Sequence, residues 1–466
     1  MAAIVTPTSR TVAPTSHRLP PGPLGAHRIP RHVAALRTDA AGLFARLRRD
    51  YGDTVRLPLG LLTATLAFHP DAIKHVLQDN NANYVRGPGY ERFRLFMGDG
   101  LLTTDGDAWR ERRRTVNPLF HRSAVEGMVD TMASATAVVL DRWERHGRSG
   151  YTGDVLPAMM RITLGALGRI MFDADLDGDR RRVGAAMETA VEAMVFRGTV
   201  PELLPPWVPF PSNLHIARAR ADLYAVLGRA VAAHRTGAGA GRPDLITLLL
   251  TAAESPDGPA LTDADVRDEL MTVFMAGHET TGTGLAWALH ELAHAPVAQE
   301  RMREEADRVF GGRAPVAADL PQLTYTGMAV EESLRLHPPI WVYPRASRAA
   351  DELGGWHVPA GECVFLSPYV THRHPDYWVT PERFDPERFT ETAKRNRPRY
   401  TYFPFGGGQR KCVGEAMATT QMRLTLAMLV SRFTIHPAGP GDPALRTAVS
   451  LRPVGGLPLR IVPRHS

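Results

Sequence analysis

The stretch FPFGGGQRKCVG, from Phe403 to Gly414, limits the possible folds and chemistries more than any other part of the chain. It places one of only two cysteines behind three consecutive glycines and two cations, just ahead of a helix-forming stretch. Four readings compete. A phosphate loop needs Gly-Lys-Ser/Thr opening a helix, but Lys411 is followed by Cys412. A papain-like nucleophile lacks its local signature, and the sequence pairs no histidine with it. A buried structural cysteine stays open. The fourth reading is a thiolate ligand to haem iron. Gly406, Gly407 and Gly408 permit positive φ and let backbone approach a flat cofactor closely. A helix N-terminus favours an anion at Cys412. Arg410 stands two residues earlier, placed for a propionate, and Phe405 can pack beside the sulfur and exclude water.

Composition narrows the rest. Hydrophobic residues make up 44% and charged residues 22%, enough for an ordinary globular core. No apolar run approaches transmembrane length, and residues 1–29 lack the apolar centre of a secretory signal. They are expected to form a flexible tail before one domain over 30–466. Cys363 and Cys412 cannot build a disulfide framework or a four-cysteine zinc site, which suits a cytoplasmic location. The net charge of +6 comes without a Lys/Arg tract of the kind that grips nucleic acid. The cluster Arg110 to Arg114 reads as a solvated helix face unless another role explains it.

Residues 51–70 alternate and predict strands. Residues 71–345 predict mostly helix, with breaks at 201–211 and at 236–243, the second a flexible surface loop. One helix starts at Thr262, where Thr262 and Asp265 suggest a capping arrangement, and runs to about 294. Loops with short strands near 354–366 follow, then a helix from Cys412 to about 431, then strand and turn. Helices and strands do not alternate, so the fold class is mainly α with a minor β-sheet region, not a doubly wound sheet.

The pattern Phe-x-x-Gly-x-Arg-x-Cys-x-Gly, met at Phe405, Gly408, Arg410, Cys412 and Gly414, resembles the cysteine-ligand loop of the cytochrome P-450 family, the haem-thiolate monooxygenases. Four further segments share that resemblance. Glu332-x-x-Arg335 ahead of His337-Pro338-Pro339, with Pro386-Glu387-Arg388-Phe389 downstream, implies a structural triad of Glu332, Arg335 and Arg388 behind the haem. Ala276-Gly277-His278-Glu279-Thr280-Thr281 is similar to the oxygen-binding groove. In a helix, Gly277 and Gly282 each cost about 1 kcal/mol relative to Ala. Gly282 also occupies the place of the second histidine in a His-Glu-x-x-His zinc helix. The resemblance implies a helix distorted to admit dioxygen, with Thr280 hydrogen-bonding the oxygen on iron and Glu279 relaying protons. Trp109-x-x-x-Arg113, Arg345 after Trp341-Val342-Tyr343-Pro344, and Arg410 would compensate two propionates. Arg110, Arg112 and Arg114 would then stay outside, as a basic patch on the cysteine side.

The implied fold sandwiches haem b between a long central helix and the ligand loop. The implied reaction is dioxygen-dependent hydroxylation or epoxidation. No fused flavin or ferredoxin module is expected, so electrons would come from NAD(P)H through ferredoxin reductase and ferredoxin. The expected pocket residues are Phe93, Phe96, Phe196, Trp341, Tyr343, Val449 and Leu451, which suit an apolar ligand. Arg92 and Arg94 could instead anchor a carboxylate. The Ala/Arg/Gly-rich composition resembles actinobacterial biosynthetic members, and a terpenoid substrate is expected. Polyketide, peptide or aromatic-acid substrates remain alternatives. So does a haem-thiolate isomerase, dehydratase or peroxide-driven enzyme, against which Glu279-Thr280 argues. A non-catalytic haem sensor comes last. A monomer with no nucleic-acid partner is expected.

Overall fold

The computed structural model describes the chain except residues 1–17, 24, 60–61, 88, 173–179, 195–210, 237–243, 255–260, 440, 442 and 465–466. Phe196 and the expected loop at 237–243 therefore lie outside the described residues.

The longest element is the central helix, Asp263–His294. Its start follows from a reciprocal cap: the Asp265 N–H donates to Thr262 Oγ1 at 3.2 Å, and the Thr262 N–H donates to Asp265 Oδ2 at 2.9 Å. It packs along the helix Leu156–Phe172. Gly277 and Gly282 make that approach possible. A Cβ at 277 would stand 3.0 Å from Leu167 Cδ2, and one at 282 would stand 3.2 Å from Met160 Cα. Small residues at a helix crossing set how near the two axes come. The central helix is continuous through this segment.

The expected strands at 51–70 form the hairpin Thr54–Leu59 and Leu62–Ala67. They belong to a five-stranded sheet completed by Cys363–Leu366, Tyr343–Ser347 and Tyr84–Arg86, in that order from the hairpin. The strand Tyr343–Ser347 falls across the expected end of the mostly helical stretch at 345 and the start of the loops that follow it. Its antiparallel register sets Arg345 directly opposite Arg86. The helix after the cysteine covers Glu415–Arg432, and the C-terminal part holds short strands as expected.

Residues 18–22 depart from the expected flexible tail. The Arg18 carbonyl accepts from the His357 N–H at 2.8 Å, and the Pro21 carbonyl accepts from the Arg56 N–H at 2.8 Å. Here the chain runs beside the strands Thr54–Leu59 and Trp356–Val358 and meets their backbone donors. Among the described residues, no helix is long and apolar enough to cross a membrane.

Candidate active site

The ligand loop is built by glycine conformations. Gly406 and Gly408 have φ of 71° and 61°, values that L side chains rarely adopt. At Gly408 a Cβ would lie 1.8 Å from the Leu77 carbonyl oxygen, so only glycine fits. The turn closes through the Gly406 N–H on the Phe403 carbonyl and the Cys412 N–H on the Phe405 carbonyl, both at 2.9 Å. Cys412 stands two residues ahead of Gly414, which caps the helix beginning at Glu415. Cys412 is exposed, and its accessible surface lines a large cavity. Burial pushes its pKa up, opposed by the Gly414 N–H and by Arg113 and Lys411, while Glu415 adds to the rise. Among the described residues no three His, Cys, Asp or Glu side chains gather as a metal site. A metal at Cys412 would need its other ligands from a cofactor.

The cavity has a volume of about 1140 Å³. That exceeds the roughly 300–1,000 Å³ of an ordinary small-molecule pocket. It has room for a planar macrocycle and a second, apolar molecule. Cys412 forms one wall, and Ala276, Gly277, Glu279 and Thr280 of the central helix form another.

Guanidinium groups gather at its edge. Arg345 is buried and faces Arg86 across the strand pair. Like charges directly opposite destabilise a sheet. Arg86 Nη1 donates to the Tyr90 hydroxyl at 3.1 Å, and its buried Nε has no partner. Arg410 lies over the Trp109 ring at 4.0 Å, donates to the Thr104 carbonyl at 2.9 Å and pairs with Asp105. Burial and the charges of Arg86 and Arg345 push Arg410 down to about 9, against Asp105. Arg113 lines the cavity and donates to the Lys411 carbonyl at 2.8 Å. A concentration of buried positive charge with an unsatisfied donor suits a ligand carrying two carboxylates. The residues present thus fit a haem: a thiol below, carboxylate-binding cations at the rim and apolar walls. Trp109, Arg113, Arg345 and Arg410 all line this cavity. Arg86, Tyr90 and Asp105 were not foreseen, because strand register and the entry turn bring them in.

Phe93, Trp341, Tyr343 and Val449 border the cavity. Phe96 and Leu451 do not: they are 1% and 0% exposed and belong to the core. The Leu451 N–H donates to the Pro339 carbonyl at 2.9 Å, and the Leu451 side chain packs in the core cluster around Phe44. Arg94 pairs with Asp99 at 2.6 Å on the outside. The Arg92 side chain is outside the described residues. Arg112 corrects the expected outer patch. It is buried, pairing with Asp265 at 2.5 Å and with Glu269 at 3.6 Å on the central helix. Arg110 and Arg114 remain exposed.

Thr280 Oγ1 donates to the Ala276 carbonyl at 2.6 Å. The Glu279 carboxylate accepts from Ser450 Oγ at 2.5 Å and from Arg452 Nε at 2.7 Å, and Arg452 Nη2 binds its other oxygen. Neither Ser450 nor Arg452 belongs to a motif visible in the sequence.

Glu332, Arg335 and Arg388 come together on the cysteine side of the core. Arg335 Nε and Nη2 donate to the two Glu332 oxygens at 2.7 and 2.8 Å. Arg388 Nε stands 3.3 Å from Glu332 Oε1, and its Nη2 donates to the Thr380 carbonyl at 3.0 Å.

A lone cysteine under a long helix, a cationic rim and an apolar cavity define a haem-thiolate class of site. The cytochrome P-450 family model matches residues 20–457, and the chain belongs to that family. It is 31% identical over 417 residues to cyclooctatin synthase of Streptomyces melanosporofaciens, covering 89% of each chain. Cyclooctat-9-en-7-ol 5-monooxygenase of the same organism is 32% identical over 415 residues, again 89% of each. The crystal structure of the cytochrome P450DA heme domain matches with a TM-score of 0.85 at 25% identity, covering 96% of this chain and 98% of that one. The chain is a haem-thiolate monooxygenase.

Proposed function

We propose that this monooxygenase inserts one oxygen atom into a terpenoid or similarly apolar small molecule. The observation that carries the substrate class is the apolar cavity over Cys412, walled by Phe93, Trp341 and Val449. Relatives at about 30% identity modify terpenoids, which supports the same class here. Cys412 would hold the iron, and Phe405 and the Gly414 N–H would shield its sulfur. Trp109, Arg113, Arg345 and Arg410 would bind the propionates. When bound, the haem supplies dioxygen activation, helped by thiolate donation that favours O–O cleavage.

The chain's own groups do the rest. The apolar walls orient the ligand and exclude water. Glu279 and Thr280, side by side on the cavity wall, hold and pass protons. One oxygen atom enters the C–H or C=C bond and the other leaves as water, with two protons and two electrons consumed. The electrons derive from NAD(P)H through a ferredoxin reductase and a ferredoxin, docking where Arg110 and Arg114 are exposed.

The test has two parts. Reduced protein treated with carbon monoxide should show the thiolate-type absorption band. Titration with cyclooctat-9-en-7-ol and other cyclic terpenoid alcohols should shift the haem spectrum, and turnover with ferredoxin, its reductase and NADPH should give an oxygenated product. Polyketides or aromatic acids binding while terpenoids do not would overturn the substrate class.

A further inference from the structure

The Glu279 carboxylate is held in a clasp that belongs to the cavity wall. Its side chain is 4% exposed, and both oxygens are occupied by the Arg452 guanidinium, with Ser450 Oγ added on one. A two-pronged guanidinium pair fixes both position and charge of a carboxylate. The neighbouring Thr280 hydroxyl is turned onto the Ala276 carbonyl. In this arrangement neither group offers a proton to the cavity that both of them line.

The clasp residues sit on a short hairpin of Leu445–Thr447 and Leu451–Pro453, whose connecting turn holds Ala448, Val449 and Ser450. Thr447, Ala448 and Val449 line the cavity. Ser450 follows Val449 directly, so wall and clasp are adjacent in the chain. Leu451 is anchored on both sides. Its N–H donates to the Pro339 carbonyl at 2.9 Å, and its carbonyl accepts from Trp287 Nε1 on the central helix at 2.7 Å. Trp341, another cavity residue, donates from Nε1 to the Ala448 carbonyl at 3.0 Å. Val449 and Trp341 thus join the cavity wall to a turn that is anchored at Leu451. The Arg452 side chain is 20% exposed, so on release its cation reaches water while its stem stays packed.

We propose that Ser450 and Arg452 are positioning residues for Glu279, and that a ligand filling the cavity displaces their turn and frees the carboxylate to move protons. The proposal rests on the reading of Glu279 as a proton donor. It makes the hairpin an occupancy sensor: the acid is withheld while the cavity lacks a ligand.

The experiment uses the full-length haem-loaded protein and the apolar azole clotrimazole, added until the haem spectrum saturates. Hydrogen exchange of the 445–453 segment should speed up by about threefold or more on ligand addition, and Arg452→Gln should show the faster exchange without ligand. Peroxide released per NADPH oxidised, with ferredoxin and its reductase and no organic ligand, should rise about fivefold or more in Arg452→Gln. Arg452→Lys should restore the low value. Exchange unchanged by clotrimazole in the parent protein overturns the proposal. So does an Arg452→Gln peroxide yield equal to the parent while Glu279→Gln alters turnover, and then the proton role of Glu279 stands. If Glu279→Gln itself leaves oxygen-driven turnover unchanged, both readings fall.

Discussion

Glu332→Gln should cost this protein more stability than any surface carboxylate change. Glu332 and Arg335 are both 0% exposed. The carboxylate accepts from Arg335 at 2.7 and 2.8 Å and from the Asp385 N–H at 2.9 Å, with Arg388 Nε at 3.3 Å. Glutamine keeps the volume and one acceptor but removes the charge between two guanidiniums. Breaking a buried pair by removing one partner costs about 3–5 kcal/mol. Arg335 retains the His372, Pro381 and Arg383 carbonyls as acceptors, which places the value near the lower end, about 3 kcal/mol. Native stability is on the order of 5–15 kcal/mol, so this is a large share. With an unfolding entropy of roughly 2 cal/mol/K per residue over 466 residues, the midpoint temperature should fall by about 3 °C. Urea unfolding followed by tryptophan fluorescence is the direct assay, because Trp378 lies 5.0 Å from the Arg335 guanidinium. Haem content of the purified protein should fall in parallel. The internal control is Glu331→Gln, next in sequence but paired with Lys394 and partly exposed, where at most about 1 kcal/mol is expected. If Glu332→Gln unfolds within about 1 kcal/mol of the parent and retains full haem, the buried-network reasoning is wrong.

Thr280→Ala should bind ligands normally but divert electrons to peroxide; product yield per NADPH equal to the parent would remove Thr280 from the proton path. Arg345→Gln relieves the like-charge pair with Arg86, so the haem-free protein should gain up to about 1 kcal/mol while haem dissociates faster. A haem-free protein made less stable by that change contradicts the charge argument. Glu269 is fully buried, and burial pushes its pKa up to about 7 against the pull of Arg112. The fold therefore binds a proton that the unfolded chain has already lost, and stability declines as pH rises from the ordinary carboxylate value towards 7. The slope is at most about 1.4 kcal/mol per pH unit from this group, and Glu269→Gln should abolish it in urea midpoints measured across that window.

Local signals were the most readable. The Thr262–Asp265 cap, the 54–67 hairpin and the ligand loop each depend on residues close in the chain, where geometry follows from spacing. The triad was readable only through resemblance, since Glu-x-x-Arg alone does not say that Arg388 arrives from further down the chain, or that the Asp385 N–H reaches the same carboxylate from 53 residues beyond Glu332. Contacts set by tertiary register were not readable. Arg86 opposite Arg345, and Ser450 and Arg452 on Glu279 from 171 and 173 residues away, have no periodic or local signature. Phe96 and Leu451 lie in segments that do border the cavity, but which side of a short element faces inward is decided by its packing partners. Arg112 was misplaced for the same reason: its acidic partners are on another helix. Gly277 and Gly282 looked like marks of oxygen chemistry, and a close passage of the helix Leu156–Phe172 at both positions had no signal in the sequence.

The ligand loop is tied to parts of the chain made much earlier. Gly408 sits against the Leu77 carbonyl, Arg410 donates to the Thr104 carbonyl, and Arg113 donates to the Lys411 carbonyl. A ribosome delivers Leu77, Thr104 and Arg113 long before Cys412. Those contacts can close only after the segment carrying the sulfur has been added, so the cradle is completed near the end of synthesis.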